Sequence, residues 1–98
     1  MIKHVILWKL KDDLSEKETI KQKIKEGLEQ LKDVIPGIVA IHVQTEGLAT
    51  SNADLLLDST FESEAALKAY ATHPAHVDVA HNCVIPYVQT RLCLDFTI

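Results

Sequence analysis

Hydrophobic and polar positions alternate from the second residue onward. Ile2, His4, Ile6, Trp8 and Leu10 fall on one side, and Lys3, Val5, Leu7, Lys9 and Lys11 on the other. That period of two predicts a strand over residues 2–11. Asp12-Asp13 ends it, and Ser15 with Glu18 has the spacing of a capping box that opens a helix. Ile20, Ile24, Leu28, Leu31 and Ile35 then recur at helical spacing, with lysines and glutamates opposite. Pro36-Gly37 terminates this helix.

A second strand is predicted at about 38–45 from its β-branched residues, Ile38, Val39, Ile41, Val43 and Thr45. Residues 46–52 read as a loop. A third strand spans about 53–61 through Leu55-Leu56-Leu57, which is apolar on both faces. Ser63 has the position of an N-cap for a short helix carrying Leu67 and Tyr70. His73-Pro74 interrupts that helix, and a further helical stretch, with Pro74 in its first turn, runs to about Val84. Pro86 closes it. The last strand covers Val88 to Phe96, with Leu92, Leu94 and Phe96 on one face.

The order β-α-β-β-α-β predicts an α+β, ferredoxin-like fold in one domain spanning residues 1–98. Its four-stranded antiparallel sheet carries the helices on one face. The other face stays bare although strands one and three are apolar there as well, through Val5, Leu7 and Leu56. Proteins rarely leave such a patch open to water, so a homodimer with sheets meeting face to face is expected.

Composition narrows the function classes. The 98 residues are 47% hydrophobic and 24% charged, ordinary for a folded domain. A net charge of −4 argues against nucleic acid as a partner, and the lysines between 17 and 32 are interleaved with glutamates on a solvated helix face. Cys83 and Cys93 form no CxxC pair and are expected to be free thiols. No apolar run approaches the roughly 20 residues of a membrane span, and no signal-peptide pattern opens the chain. A soluble cytoplasmic protein with no membrane or nucleic-acid partner is expected.

Candidate chemistry gathers at Tyr70-Ala-Thr-His73-Pro-Ala-His76. Two imidazoles beside a phenol can move protons near neutral pH, with His76 as general base and Tyr70 orienting or polarising a carbonyl. Each residue also has a plain role: Tyr70 as amphipathic packing, His73 as a helix cap, His4 as a core histidine bonded to a neighbour. His4 shares its strand face with Ile6 and Trp8, near the Tyr70–His76 junction. His42 and His81 read as surface or structural residues, and Cys83 as a small apolar side chain. His73 and His76 with Asp78 nearby make a weak metal case, since zinc sites usually bring three or four ligands and neither an HExxH nor a Cys-rich motif occurs. Neither a phosphate loop nor a GxSxG elbow occurs. No cofactor or metal is expected.

Three pieces together, Met1-Ile-Lys-His4-Val-Ile-Leu, Tyr70-x-x-His73-Pro-x-His76 and Asp95-Phe96, resemble the stress-responsive A/B barrel family, the dimeric α/β barrel (Dabb) proteins. The resemblance spans nearly the whole chain. It implies a ferredoxin-like protomer and a homodimer whose two sheets form a barrel. One plant member is a cofactor-independent polyketide cyclase, and by that likeness His76 and Tyr70 are the catalytic pair. His4, Ile6, Trp8 and His73 are then pocket residues. Trp8 and Leu55 depart from the cyclase, which has a smaller aliphatic residue and a histidine there. Three functions therefore stand open: a cavity for a small apolar ligand, a cyclase-like enzyme, and a structural module. An open pocket touching His4, Tyr70 and His76 favours the first two; Trp8 and Leu55 filling that space favours the third.

Overall fold

Strand β1 (Ile2–Leu10) occupies the middle of a four-stranded sheet ordered β2-β3-β1-β4, antiparallel at every junction, in a computed structural model that describes residues 1–98. The other strands are β2 (Ile38–Gln44), β3 (Leu55–Phe61) and β4 (Val88–Thr97). Helix α1 (Lys17–Glu29) joins β1 to β2, and α2 (Glu64–Thr72) with α3 (Pro74–Val79) joins β3 to β4. One π turn at Ala80–Val84 and a short 3-10 turn at Ile85–Tyr87 complete the second connection. The predicted ferredoxin-like order is the observed one.

The alternation of β1 becomes a division between two faces. Ile2, His4, Ile6, Trp8 and Leu10 are all buried beneath the helices. Ile24 and Leu28 of α1 meet them. The predicted helix ends at Glu29, and the rest of its stripe is carried by Leu31, in a 3-10 turn at Gln30–Asp33, and by Ile35 beyond it, all buried. Each such side chain contributes roughly 1.5–3 kcal/mol on leaving water. The opposite face has no helix over it. There Leu7 (42% exposed) pairs across the ladder with Leu92 (64%), and Val5 pairs with Leu94 (66%). The predicted bare apolar face is present.

Two glycines fix how closely the layers approach. Gly37 has φ +94°, and a Cβ there would lie 2.7 Å from the Cβ of Ala66 on α2. That turn therefore demands a residue without a side chain. Within α1, a Cβ on Gly27 would stand 3.1 Å from Val79 Cγ1, so its absence lets α3 pack against α1.

The helix starts divide between expectation and correction. Ser63 caps α2 as predicted, its Oγ accepting the Ala66 N–H at 3.1 Å. Ser15 does not cap α1. The first helical hydrogen bond runs from the Ile20 N–H to the Glu16 carbonyl at 3.0 Å, which makes Glu16 the N-cap and leaves Ser15 one residue too early. The third strand starts at Leu55 rather than 53, because Asp54 turns its carboxylate back to accept the Leu10 N–H at 2.7 Å.

Candidate functional site

Pro74 builds the site's first wall. It forces the preceding residue out of helical geometry, so α2 ends at Thr72 and His73 takes φ −64°, ψ 133° before α3 begins. The His73 side chain becomes the α3 N-cap, its Nδ1 accepting the Ala75 N–H at 3.1 Å. That bond ties His73 to the backbone and off the cavity wall, so of its two expected roles it takes the cap. The same bend returns His76 to Tyr70, their ring centroids 4.2 Å apart and inclined by 39°.

Behind this pair stands an aromatic cluster. Tyr70 packs on Phe61 at 4.9 Å, and His4 presents itself edge-to-face to Phe61 and Tyr70 at 6.1 and 6.2 Å. Ser59 Oγ donates to the His4 carbonyl at 2.7 Å, holding β1 and β3 in register there. On the other side, β4 places Asp95 directly opposite His4, and the two side chains meet at 2.5 Å, Nδ1 to Oδ1. Cys93, two residues earlier on the same face, brings its Sγ within 3.5 Å of that carboxylate oxygen and 3.7 Å of the imidazole nitrogen.

A cavity of about 310 Å³ opens among these elements. Ile6, Trp8, Leu57, Leu67 and Val84 give it an apolar lining, while His4, Tyr70, His76 and Arg91 supply the polar groups. Trp8 forms part of the wall without filling the space, and Leu55 is buried elsewhere in the core. The π turn contributes Ala80 and Val84 to the rim, a distortion that often accompanies functional sites. A second, more polar groove of about 630 Å³ runs between α2 and β4, sharing His4, Leu67, Ala71 and Arg91 with the first.

Electrostatics distinguishes the two members of the pair. The Tyr70 hydroxyl is fully buried and has no hydrogen-bond partner. Burial pushes its phenol up to about 12, against a smaller opposing pull from Arg91, so it remains a donor at neutral pH. Such an unpartnered buried group costs about 1–3 kcal/mol. Burial also holds the His76 imidazole below its ordinary value, aided by the charges of His4, Arg91 and His73 and opposed by its contact with the Ala71 carbonyl. His76 Nδ1 lies 3.2 Å from that carbonyl oxygen, which can only accept, so Nδ1 carries the proton and Nε2 is the free basic nitrogen.

The structure thus brings together His4, Ile6, Trp8, Tyr70 and His76, and sets His73 aside. Three polar or thiol residues escaped sequence reasoning as members of the site, Arg91, Cys93 and Asp95, as did apolar lining residues such as Leu57, Leu67 and Val84. The signal for the first three was the polar alternation of the last strand, Arg91, Cys93, Asp95 and Thr97, between the apolar Leu92, Leu94 and Phe96. Which row faces the helices is set by register with β1.

Comparison with known proteins agrees with this architecture. The stress responsive A/B barrel domain (Dabb) profile matches residues 2–98. The stress-response A/B barrel domain-containing protein HS1 of Arabidopsis thaliana is 39% identical over 83 residues, which cover 81% of this chain and 73% of HS1. A dimeric ferredoxin-like protein of unknown function from Bacteroides fragilis superimposes with a TM-score of 0.92 at 31% identity, covering 99% of this chain and 95% of its own. Hydroxynitrile lyase from Passiflora edulis does so with a TM-score of 0.83 at 18% identity, over 99% of this chain and 92% of the lyase, a likeness that shows the fold alone. No helix here is long and apolar enough to cross a membrane. On its sequence and its fold together, the chain belongs to the stress-responsive A/B barrel family.

Proposed function

We propose that this chain works as a homodimer whose cavity takes a small apolar molecule carrying one hydrogen-bond acceptor. The buried, unpartnered Tyr70 hydroxyl carries this reading. A carbonyl or ether oxygen from a ligand that displaces the side chains covering the hydroxyl would relieve that donor beside an apolar chamber. The volume suits the role: about 310 Å³ lies at the lower end of small-molecule sites, which run roughly 300–1,000 Å³. Dimerisation through the bare sheet face would cover Leu7, Leu92 and Leu94, and the dimeric Bacteroides fragilis relative supports it.

The test compares acetophenone with α-methylstyrene, which has nearly the same shape and lacks the acceptor. Acetophenone binds the wild type more tightly, and Tyr70→Phe abolishes the difference without unfolding the protein. Equal affinity of the wild type for both compounds would refute the role given to the hydroxyl.

A second reading rests on His76, which is neutral at pH 7 with its Nε2 free. In it the chain is a cofactor-independent, cyclase-like enzyme. His76 Nε2 takes a proton from the carbon beside a carbonyl, and Tyr70 donates a hydrogen bond to the enolate oxygen that forms. Methyl protons of bound acetophenone would then exchange with D2O faster than in buffer, and His76→Ala would return the rate to the buffer value. No acceleration by the wild type excludes this chemistry on that ketone while leaving the binding proposal standing.

A further inference from the structure

We infer that His4, Cys93 and Asp95 form a binding site for a single zinc-class divalent cation, adjoining the apolar cavity and sharing only His4 with its wall. The three ligand atoms, Nδ1, Sγ and a carboxylate oxygen, lie within 4.8 Å of one another. Their convergence follows from the ladder itself. Asp95 is the direct cross-strand partner of His4, and Cys93 is the partner of Ile6, so both project to the same face of two adjacent strands as His4. The His4 ring is buried and braced edge-on by Phe61 and Tyr70, which fixes Nδ1 toward β4 before any ion arrives.

Two of the three ligand–ligand distances match a tetrahedral metal. With metal–sulfur near 2.3 Å and metal–nitrogen or metal–oxygen near 2.0–2.1 Å, two ligand atoms stand about 3.3–3.6 Å apart. Sulfur already lies 3.5 Å from the carboxylate oxygen and 3.7 Å from the imidazole nitrogen. The third edge, 2.5 Å between His4 and Asp95, is a hydrogen bond that the ion would replace. Opening it by a little under about 1 Å reaches coordination length, and the half-exposed Asp95 side chain is free to make that movement.

Ligand chemistry selects the ion. An imidazole, a thiolate and one carboxylate suit zinc or cobalt; magnesium and calcium take oxygen ligands and leave thiolates alone. Three protein ligands leave the fourth position to water from the groove between α2 and β4, which Cys93 and Asp95 line. Cys83, the other thiol, is half-buried against α1, 3.9 Å from the Cβ position of Gly27, and takes no part.

Cobalt(II) titration of the reduced full-length chain tests this directly. The site predicts one equivalent bound, with a thiolate-to-cobalt charge-transfer band and the intense visible bands of four-coordination, all displaced by zinc. Cys93→Ser removes the charge-transfer band while circular dichroism stays native, and Cys83→Ser leaves it intact. Asp95→Asn weakens cobalt binding by at least about tenfold, since even outer-shell partners of a metal are worth that much. No charge-transfer band from the wild type at stoichiometric cobalt, or a band that survives Cys93→Ser, would overturn the inference. Neither result bears on acetophenone binding, so this site and the proposed cavity function fail independently.

Discussion

The helix-covered face of the sheet has two halves that share β1 and differ in nearly everything else. Under α1, Leu10, Ile24, Leu31, Ile35 and Val43 belong to one closed, buried cluster. Under α2 and α3, the same layer holds an open cavity, a buried hydroxyl without a partner and an imidazole–carboxylate pair. The edge strands account for the contrast. On one side β2 turns Ile41 and Val43 inward; on the other, β4 turns Arg91, Cys93 and Asp95 inward and its leucines outward. An apolar inward row seals a core. A polar inward row cannot be sealed by helices and leaves room for a ligand, while its apolar side calls for a partner sheet.

Core truncation separates the halves most strongly. Leu31→Ala, in the closed half, is expected to cost about 2–5 kcal/mol, because a packed site relaxes little around the void. Leu67→Ala, on the cavity rim, should cost less than half as much, since its neighbours already border empty space. Urea denaturation of both variants checks this, and equal losses would mean the cavity half is packed as tightly as the core.

Tyr70→Phe has a smaller and opposite effect. Removing a buried donor that has no partner should leave stability unchanged or raise it by about 1–2 kcal/mol. A loss above about 1 kcal/mol in thermal or urea unfolding would reveal a hydrogen bond that the cavity account does not contain.

Titration gives the finest distinction. In the cavity half His76 sits below 6.5 when folded, so between the two values the unfolded chain binds more protons. Stability therefore falls as pH drops beneath about 6.5 and levels off below the folded value. In the α1 half, burial pushes Glu29 up, yet Lys25, the Val43 N–H and His42 together outweigh it and hold the carboxyl below 4.5. Its contribution is present above 4.5 and is lost only as pH falls through the depressed folded value. Glu29→Gln should remove the acid component alone, and His76→Gln the near-neutral one. A near-neutral slope that persists in His76→Gln would assign it to another group.

Much of the fold was legible because its signals are local. The alternation of Ile2 to Leu10, the α1 stripe, the Ser63 cap and the Pro74 break each lie within one element and depend on little outside it. The errors have the same origin. Ser15 and Glu18 have capping-box spacing, but the first hydrogen bond forms one residue later. The site was legible only in part. His4, Tyr70 and His76 were found because an unusual cluster of types lies close in sequence. The His4–Asp95 pair spans 91 positions and exists only once β1 and β4 are aligned; a slip of one residue would turn Asp95 to the opposite face. His73 was expected either as a helix cap or as a pocket residue, and only the chain direction imposed by Pro74 decides for the cap.

The central claim, that the α2–α3 half is a ligand chamber and the α1 half a closed core, is tested most directly by titrating isotope-labelled protein with acetophenone and following backbone amide shifts. The account predicts saturable changes clustered at Ile6, Leu67, Tyr70, His76 and Val84, with Leu31 and Val43 unmoved. An unchanged spectrum, or shifts spread equally over both halves, would contradict it.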